Sequence, residues 1–200
     1  MQTQHDEAKW QAFSERVTYQ GQPHVGVEPF DPASEDIEHL NERNLHILRS
    51  LASLDERRSE NVNDDDSPLM LELQRMDSKI NVLLDIVDRL LLPASLLPPR
   101  RPVSFNAVGL VLPANALPAA AGEHLLVHLH FDACRALPLE LPARRGHVLN
   151  DGNAFVYFYE LKDVVEDGLE RFVFCHHRRK VAEARLTGMV ESVPGGKYRV

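Results

Sequence analysis

Three histidines in the stretch EHLLVHLHF, His124, His128 and His130, are the residues whose types and spacing first suggest chemistry. On an extended strand, residues two apart point the same way, so the three rings share a face. A pair of neutral imidazoles in that arrangement is a metal-ligand pattern. No carboxylate pattern nearby completes a coordination shell, and a half-exposed strand face that tolerates polar rings explains them as well. The basic run CHHRRK, Cys175 to Lys180, offers an anion-binding patch. On a helix these side chains spread around the cylinder, and a solvated face near a helix C-terminus, where cations are favoured, accounts for them. Phe172, Val173 and His176 are then expected to pack on a sheet. No GxSxG elbow, GxxxxGK[ST] loop or HExxH pair occurs, and PGGK at 194–197 lacks the strand and helix that would make it a phosphate loop. The reading is of a protein that is not an enzyme, with no metal and no cofactor.

A second chemical signal is the stretch VSFNAVGLVL at 103–112. Its apolar residues suggest a strand, yet Asn106 and Gly109 are poor strand residues. A glycine inside a strand marks a bulge or a close approach by a ligand or another backbone.

The elements that position these residues fall into two regions. Residues 1–92 carry nineteen acidic and nine basic side chains, and residues 93–200 carry eleven and thirteen, within a 200-residue chain of net charge −8. That balance speaks against nucleic acid as a partner. The N-terminus MQTQHDEAKW is polar, no apolar run approaches the length of a membrane span, and INVLLDIVDRLLL is interrupted by Asp85, Asp88 and Arg89. Cys134 and Cys175 make neither a disulfide framework nor a CxxC site. The expected setting is the cytoplasm, without membrane attachment.

Residues 1–30 form an N-terminal segment in which ERVTYQ and HVGVEPF are candidate strands, one of them a first barrel strand. Residues 31–93 read as helical. Ser34 is a candidate cap, and Ile37, Leu40, Ile47, Leu51 and Leu54 recur at steps of three and four with Asn44 in register, as a polar interruption at one a position of a heptad seam. The polar turn ENVNDDDSP separates this helix from a second, capped by Asp66 or Ser67 with Pro68 at its first position. There Leu73, Ile80 and Val87 take a positions, and Leu69, Met76, Leu83 and Leu90 take d positions. Leu84, Ile86 and Leu91 widen the apolar face beyond a two-stranded seam, so it is expected to bury against more than one partner. The two helices predict a hairpin or coiled coil and self-association; isoleucine and valine at a with leucine at d favour a parallel dimer, while the wide face asks for further helices.

After the proline-rich PASLLPPRRP the pattern becomes β. VSFNAVGLVL, EHLLVHLHF, RALPLELPARRGHVLN (one bent strand or two) and NAFVYFYEL read as strands, with a hairpin turn at NDGN. A helix follows from about Glu166 to Leu186, with Gly188 as its stop. Residues 94–190 thus predict a small antiparallel β-barrel with a C-terminal helix, and 191–200 a tail.

The stretch SFNAVG, the order of elements and the closing block YELKDVVEDGLERFVFCHHRRKVAEARL resemble the PilZ domain family, and most closely its atypical tetrameric branch, in which two long helices are inserted after the first strand. The resemblance implies an α+β fold and, as usual ligand, the bacterial second messenger cyclic di-GMP, held by an RxxxR stretch and a DxSxxG stretch. Ser104 stands where that motif's aspartate belongs, Asn106 where its serine belongs, and Gly109 keeps its glycine. RVTYQ retains one arginine, Arg16; Arg100 and Arg101 are the other candidates. Paired guanidinium groups grip phosphate oxygens bidentately, so losing one arginine and the aspartate removes most of the grip.

The expectation is a non-enzymatic signalling or adaptor protein, oligomeric through its helices, in cyclic di-GMP-linked regulation such as motility or virulence. Cyclic di-GMP binding is expected to be weak or absent, and a protein partner is implied whose identity no motif reveals. The alternatives are a true cyclic di-GMP receptor that uses non-standard residues, and a metal-dependent enzyme built on the strand histidines.

Overall fold

The computed structural model describes residues 2–33, 36–60, 68–119 and 122–191. In chain order the elements are α1 (Gln2–Ser14), β1 (Tyr19–Gly21), β2 (His24–Pro29), α2 (Ile37–Glu60), α3 (Pro68–Leu91), β3 (Val103–Phe105), β4 (Gly109–Pro113), β5 (His124–Phe131), β6 (Cys134–Val148), β7 (Asn153–Phe158) and α4 (Asp163–Glu191). The strands form one antiparallel sheet in the order β1-β3-β4-β7-β6-β5-β2. β1 and β2 are separated by Gln22 and Pro23 alone, yet they stand at opposite edges. Two residues span at most about 7 Å, so the sheet must curl until its edges meet. The proline-rich segment after α3 lies along that seam: Pro99 O accepts from Val25 N–H and Pro23 O accepts from Arg101 N–H, each at 3.1 Å. It covers backbone groups that an open edge would leave exposed.

The curled sheet encloses Phe105, Leu110, Leu112, Leu125, Val127, Leu129, Leu139, Leu141 and Val156, none of which retains accessible surface. Their alternation along each strand is the period-two pattern that fills one face. Ile47, Leu48 and Leu51 of α2 and Val165, Leu169 and Val173 of α4 close the same core. Phe172 of α4 stacks on Phe105, and His176 lies against Tyr19 with ring centroids 4.2 Å apart.

Several local expectations change. Residues 1–30 hold a helix, α1, ahead of the two strands. Its large apolar residues, Trp10 and Phe13, dock on Phe155 of β7, with Tyr157 in the same cluster. Ser34 lies outside the described residues; the α2 cap is Asp36, whose carboxylate accepts from His39 N–H at 3.1 Å. CRALPLELPARRGHV is one fifteen-residue strand, β6, paired first with β5 and then with β7. The turn into β7 uses Gly152 at φ +82°, a conformation that favours glycine. α4 begins at Asp163 and continues through Gly188 to Glu191. A glycine costs about 1 kcal/mol inside a helix but does not by itself end one. The 61–67 turn, with Asp66 and Ser67, and the tail with PGGK lie outside the described residues.

Asn44 corrects the reading of α2 as one half of a coiled-coil seam. It is fully buried. Its Nδ2 donates to Glu140 O at 2.7 Å, and its Oδ1 accepts from Glu140 N–H at 2.8 Å. Asn44 thus meets the barrel strand β6 rather than another helix. One turn earlier, Asn41 donates to Ile37 O and Glu160 O and accepts from Lys162 N–H. The step-of-three-and-four pattern of α2 is the stripe of a helix packed on a sheet. The α3 stripe is different. Leu73, Met76, Ile80, Leu83, Val87 and Leu90 are exposed, from 47% at Ile80 and Val87 to 75% at Leu90, and Ile86 and Leu91 beside them are exposed as well. The side chains of Leu54, Leu69 and Leu84 lie outside the described residues.

Candidate functional site

The stretch that raised the ligand question folds as the hairpin joining β3 to β4. Phe105 ends β3 inside the barrel, Asn106 to Val108 turn, and Gly109 opens β4 opposite Tyr157. Asn106 N–H donates to Gly109 O at 3.1 Å, closing the turn. The Asn106 side chain is buried and bonded within the fold at both polar atoms: Nδ2 donates to Phe13 O at 2.9 Å, and Oδ1 accepts from Val108 N–H at 2.9 Å. The second bond is the local asparagine turn that suits this residue to tight corners. The first ties the end of α1 to the barrel. Asn106 therefore shapes the hairpin and leaves little hydrogen-bonding capacity for a ligand.

Gly109 is explained by a close approach rather than a bulge. Its register with β7 is regular. A methyl group on its Cα would lie 2.4 Å from Val156 O, 2.9 Å from Phe155 Cε2 and 3.0 Å from Tyr157 Cα. Backbone cannot move aside as a flexible side chain does, so only glycine fits.

Three of the four motif positions, all but Gly109, divide between two depressions. Arg16 and Asn106 line a cavity of about 620 Å³ between the α1–β1 connection and α4, together with Val17, Asp167, Arg171 and Phe174. Arg16 pairs there with Glu170 at 2.7 Å, both side chains about half exposed. A carboxylate on its guanidinium competes with any phosphate. Nearby Glu166 is held above the ordinary carboxylate range, chiefly by burial. Ser104 opens into a separate cleft of about 390 Å³ with Gln20, Gln22, Asn153 and Lys180. Lys180 Nζ donates to Gln20 O at 2.5 Å. Arg100 and Arg101 are also engaged: Arg100 bonds Asp132 and Gln22 O, and Arg101 bonds Asn115. The Arg100 contact holds the Asp132 carboxyl below its usual range. Reasoning from sequence missed Lys180 and Arg171 as cavity residues, because α4 lies sixty or more positions from the motif.

The strand histidines part company. His128 faces Glu28 at 3.0 Å, His124 accepts from Arg144 at 3.1 Å, and His130 donates through Nδ1 to Arg135 O at 2.7 Å. Burial lowers the His130 pKa, which favours the neutral ring. Among the described residues, no group of three or more His, Cys, Asp or Glu side chains is placed to hold a metal ion. Nor is any described helix long and apolar enough to cross a membrane.

Residues 48–186 match a family model described as an atypical PilZ domain, cyclic di-GMP receptor. The chain belongs to the atypical PilZ family. Among solved structures, this PilZ chain is similar to a pathogenic protein from Xanthomonas campestris, described as a new tetrameric PilZ domain self-assembled via an unusual helical bundle. The two share 25% identity and superpose with a TM-score of 0.66, covering 88% of this chain and 97% of the other. No curated protein matches it. Membership in the family agrees with the α+β architecture seen here, an antiparallel curled sheet followed by a C-terminal helix.

Proposed function

We propose that this atypical PilZ protein is a non-enzymatic signalling adaptor that self-assembles through α3, acts in the cytoplasm in cyclic di-GMP-linked regulation such as motility or virulence, and grips the dinucleotide weakly or not at all. The observation that carries the reading is the apolar face of α3, where Ile80, Leu83, Val87 and Leu90 are 47–75% exposed on the single chain. A continuous stripe of this kind marks an interaction surface, and isoleucine and valine at a with leucine at d fit a helical seam. The similar Xanthomonas protein, itself tetrameric through a helical bundle, makes the tetramer the favoured state. The weak grip follows from Asn106, whose side chain is used within the fold, and from Arg16, which is paired with Glu170. Charge-assisted bonds contribute about 1.5–3 kcal/mol each, so two lost contacts weaken binding by about two orders of magnitude or more.

Two measurements test this. Light scattering should give an oligomer for the wild type and a smaller species for Ile80→Asp with Leu83→Asp; a monomeric wild type sinks the assembly. Calorimetry should show no heat of cyclic di-GMP binding at low micromolar concentration. The family description as a cyclic di-GMP receptor favours the second reading, a receptor that uses non-standard residues. Tight binding abolished by Arg16→Ala, Arg100→Ala or Arg101→Ala would establish it.

A further inference from the structure

The second half of α4 is open to solvent: from His177 to Ala182 every residue is exposed, with Lys180 still bonded to Gln20 O of β1. Val165, Leu169 and Val173 face the barrel, and His176 rests on Tyr19. On the side away from the core, Asp167, Arg171, Phe174, Arg178, Val181 and Arg185 recur at steps of three and four and are all exposed, Phe174 at 56% and Val181 at 37%, the first three also bordering the cavity beside Arg16. Such spacing keeps them on one stripe. Asp167, Arg171 and Arg185 have no ion-pair partner among the described residues, and Arg178 lies 6.0 Å from the Phe174 ring.

The order of these residues is self-complementary. We infer that the outer stripe of α4 binds the same stripe of a second copy of this chain, antiparallel about a twofold axis level with residue 176. Each residue then faces one whose number brings the pair to the same centre. Asp167 meets Arg185 of the other copy, Phe174 meets Arg178, and Arg171 lies along Val181. Every contact occurs twice, as a twofold interface requires. The acidic end of one helix covers the basic end of the other, and the guanidinium of Arg178 stacks on an aromatic face. A parallel pairing would instead set arginine against arginine. This contact is separate from the α3 face and does not depend on it.

Asp167 and Arg185 are eighteen positions apart on one helix, about 27 Å, so they cannot pair within a chain. Charge reversal therefore distinguishes a second copy from any other occupant. In a chain carrying Ile80→Asp and Leu83→Asp, sedimentation at low salt should show a monomer–dimer equilibrium. Asp167→Arg or Arg185→Asp alone should weaken it roughly tenfold or more, and the two together should restore it. A strict monomer up to near-millimolar concentration, single reversals without effect, or a double variant that stays dissociated overturns the α4 pairing. If the α3 substitutions leave the wild-type mass unchanged, it is the α3 reading that fails. The reversal and its rescue are then measured in the wild-type chain.

Discussion

The side-chain amide of Asn44 on α2 bonds both main-chain polar groups of Glu140 on β6, as a neighbouring strand would. A helix residue thereby continues the hydrogen bonding of the sheet, and it fixes where α2 crosses the barrel. The carboxylate of Glu140 adds a pair with Arg43 at 2.7 Å. An asparagine that looks like an interruption in an apolar seam is thus an anchor. Asn44→Ile should destabilise the protein by about 2–4 kcal/mol, because a buried N–H and a buried C=O lose their partners at about 1–3 kcal/mol each. Chemical denaturation measures it; a stabilised variant would return Asn44 to a helix–helix interface.

The hairpin at 104–109 separates three roles. Gly109→Val should prevent folding, since its side chain would meet the β7 backbone within 3 Å. Asn106→Ala should cost about 1–3 kcal/mol, rather than the mild effect that a vestigial ligand residue implies, because Val108 N–H and Phe13 O lose their partners. Ser104→Ala should stay within about 0.5 kcal/mol, as is usual for a partly exposed residue whose side chain has no hydrogen bond among the described residues. Thermal melts of the three variants, ranked in this order, check the assignment. Equal losses at Asn106 and Ser104 would contradict it.

His130 should make stability fall on the acid side. Its pKa is lowered in the folded state, mainly by burial. The folded protein therefore binds fewer protons than the unfolded chain once pH drops below the ordinary imidazole value, about 6.5. Stability is complete above that value and declines below it until the folded ring also protonates. His130→Gln should flatten the slope on the acid side of about pH 6.5. Urea midpoints across this range, for both proteins, are the measurement, and parallel slopes would remove His130 from the account.

The α3 face permits a test free of folding effects. Ile80 and Leu83 are 47% and 60% exposed on the single chain, so replacing both with aspartate removes little core. Helix content by circular dichroism should change little while the mass in solution falls. A collapse of helix content with unchanged mass would place both residues inside one chain's core instead.

Residues 103–112 read as one strand but fold as two with a turn at 106–108, whereas the order of β-barrel and closing helix and the two long helices were legible in the sequence. They follow from periodicity and from proline and glycine punctuation, which act within a few residues. The apolar stripe of α3 was equally plain, because a face left open on the chain needs no long-range information to be recognised. Tertiary structure alone decided what each stripe meets. The same three-four spacing serves a helix on a helix and a helix on a sheet, and only the meeting of α2 with β6 shows that Asn44 binds Glu140. α1 was invisible because its docking rests on Trp10 and Phe13 against a strand about 140 residues away. Gly109 was visible as an anomaly, but the sequence left its cause open. The close approach of Val156 O is a distance between strands nearly fifty residues apart, and no local pattern encodes it.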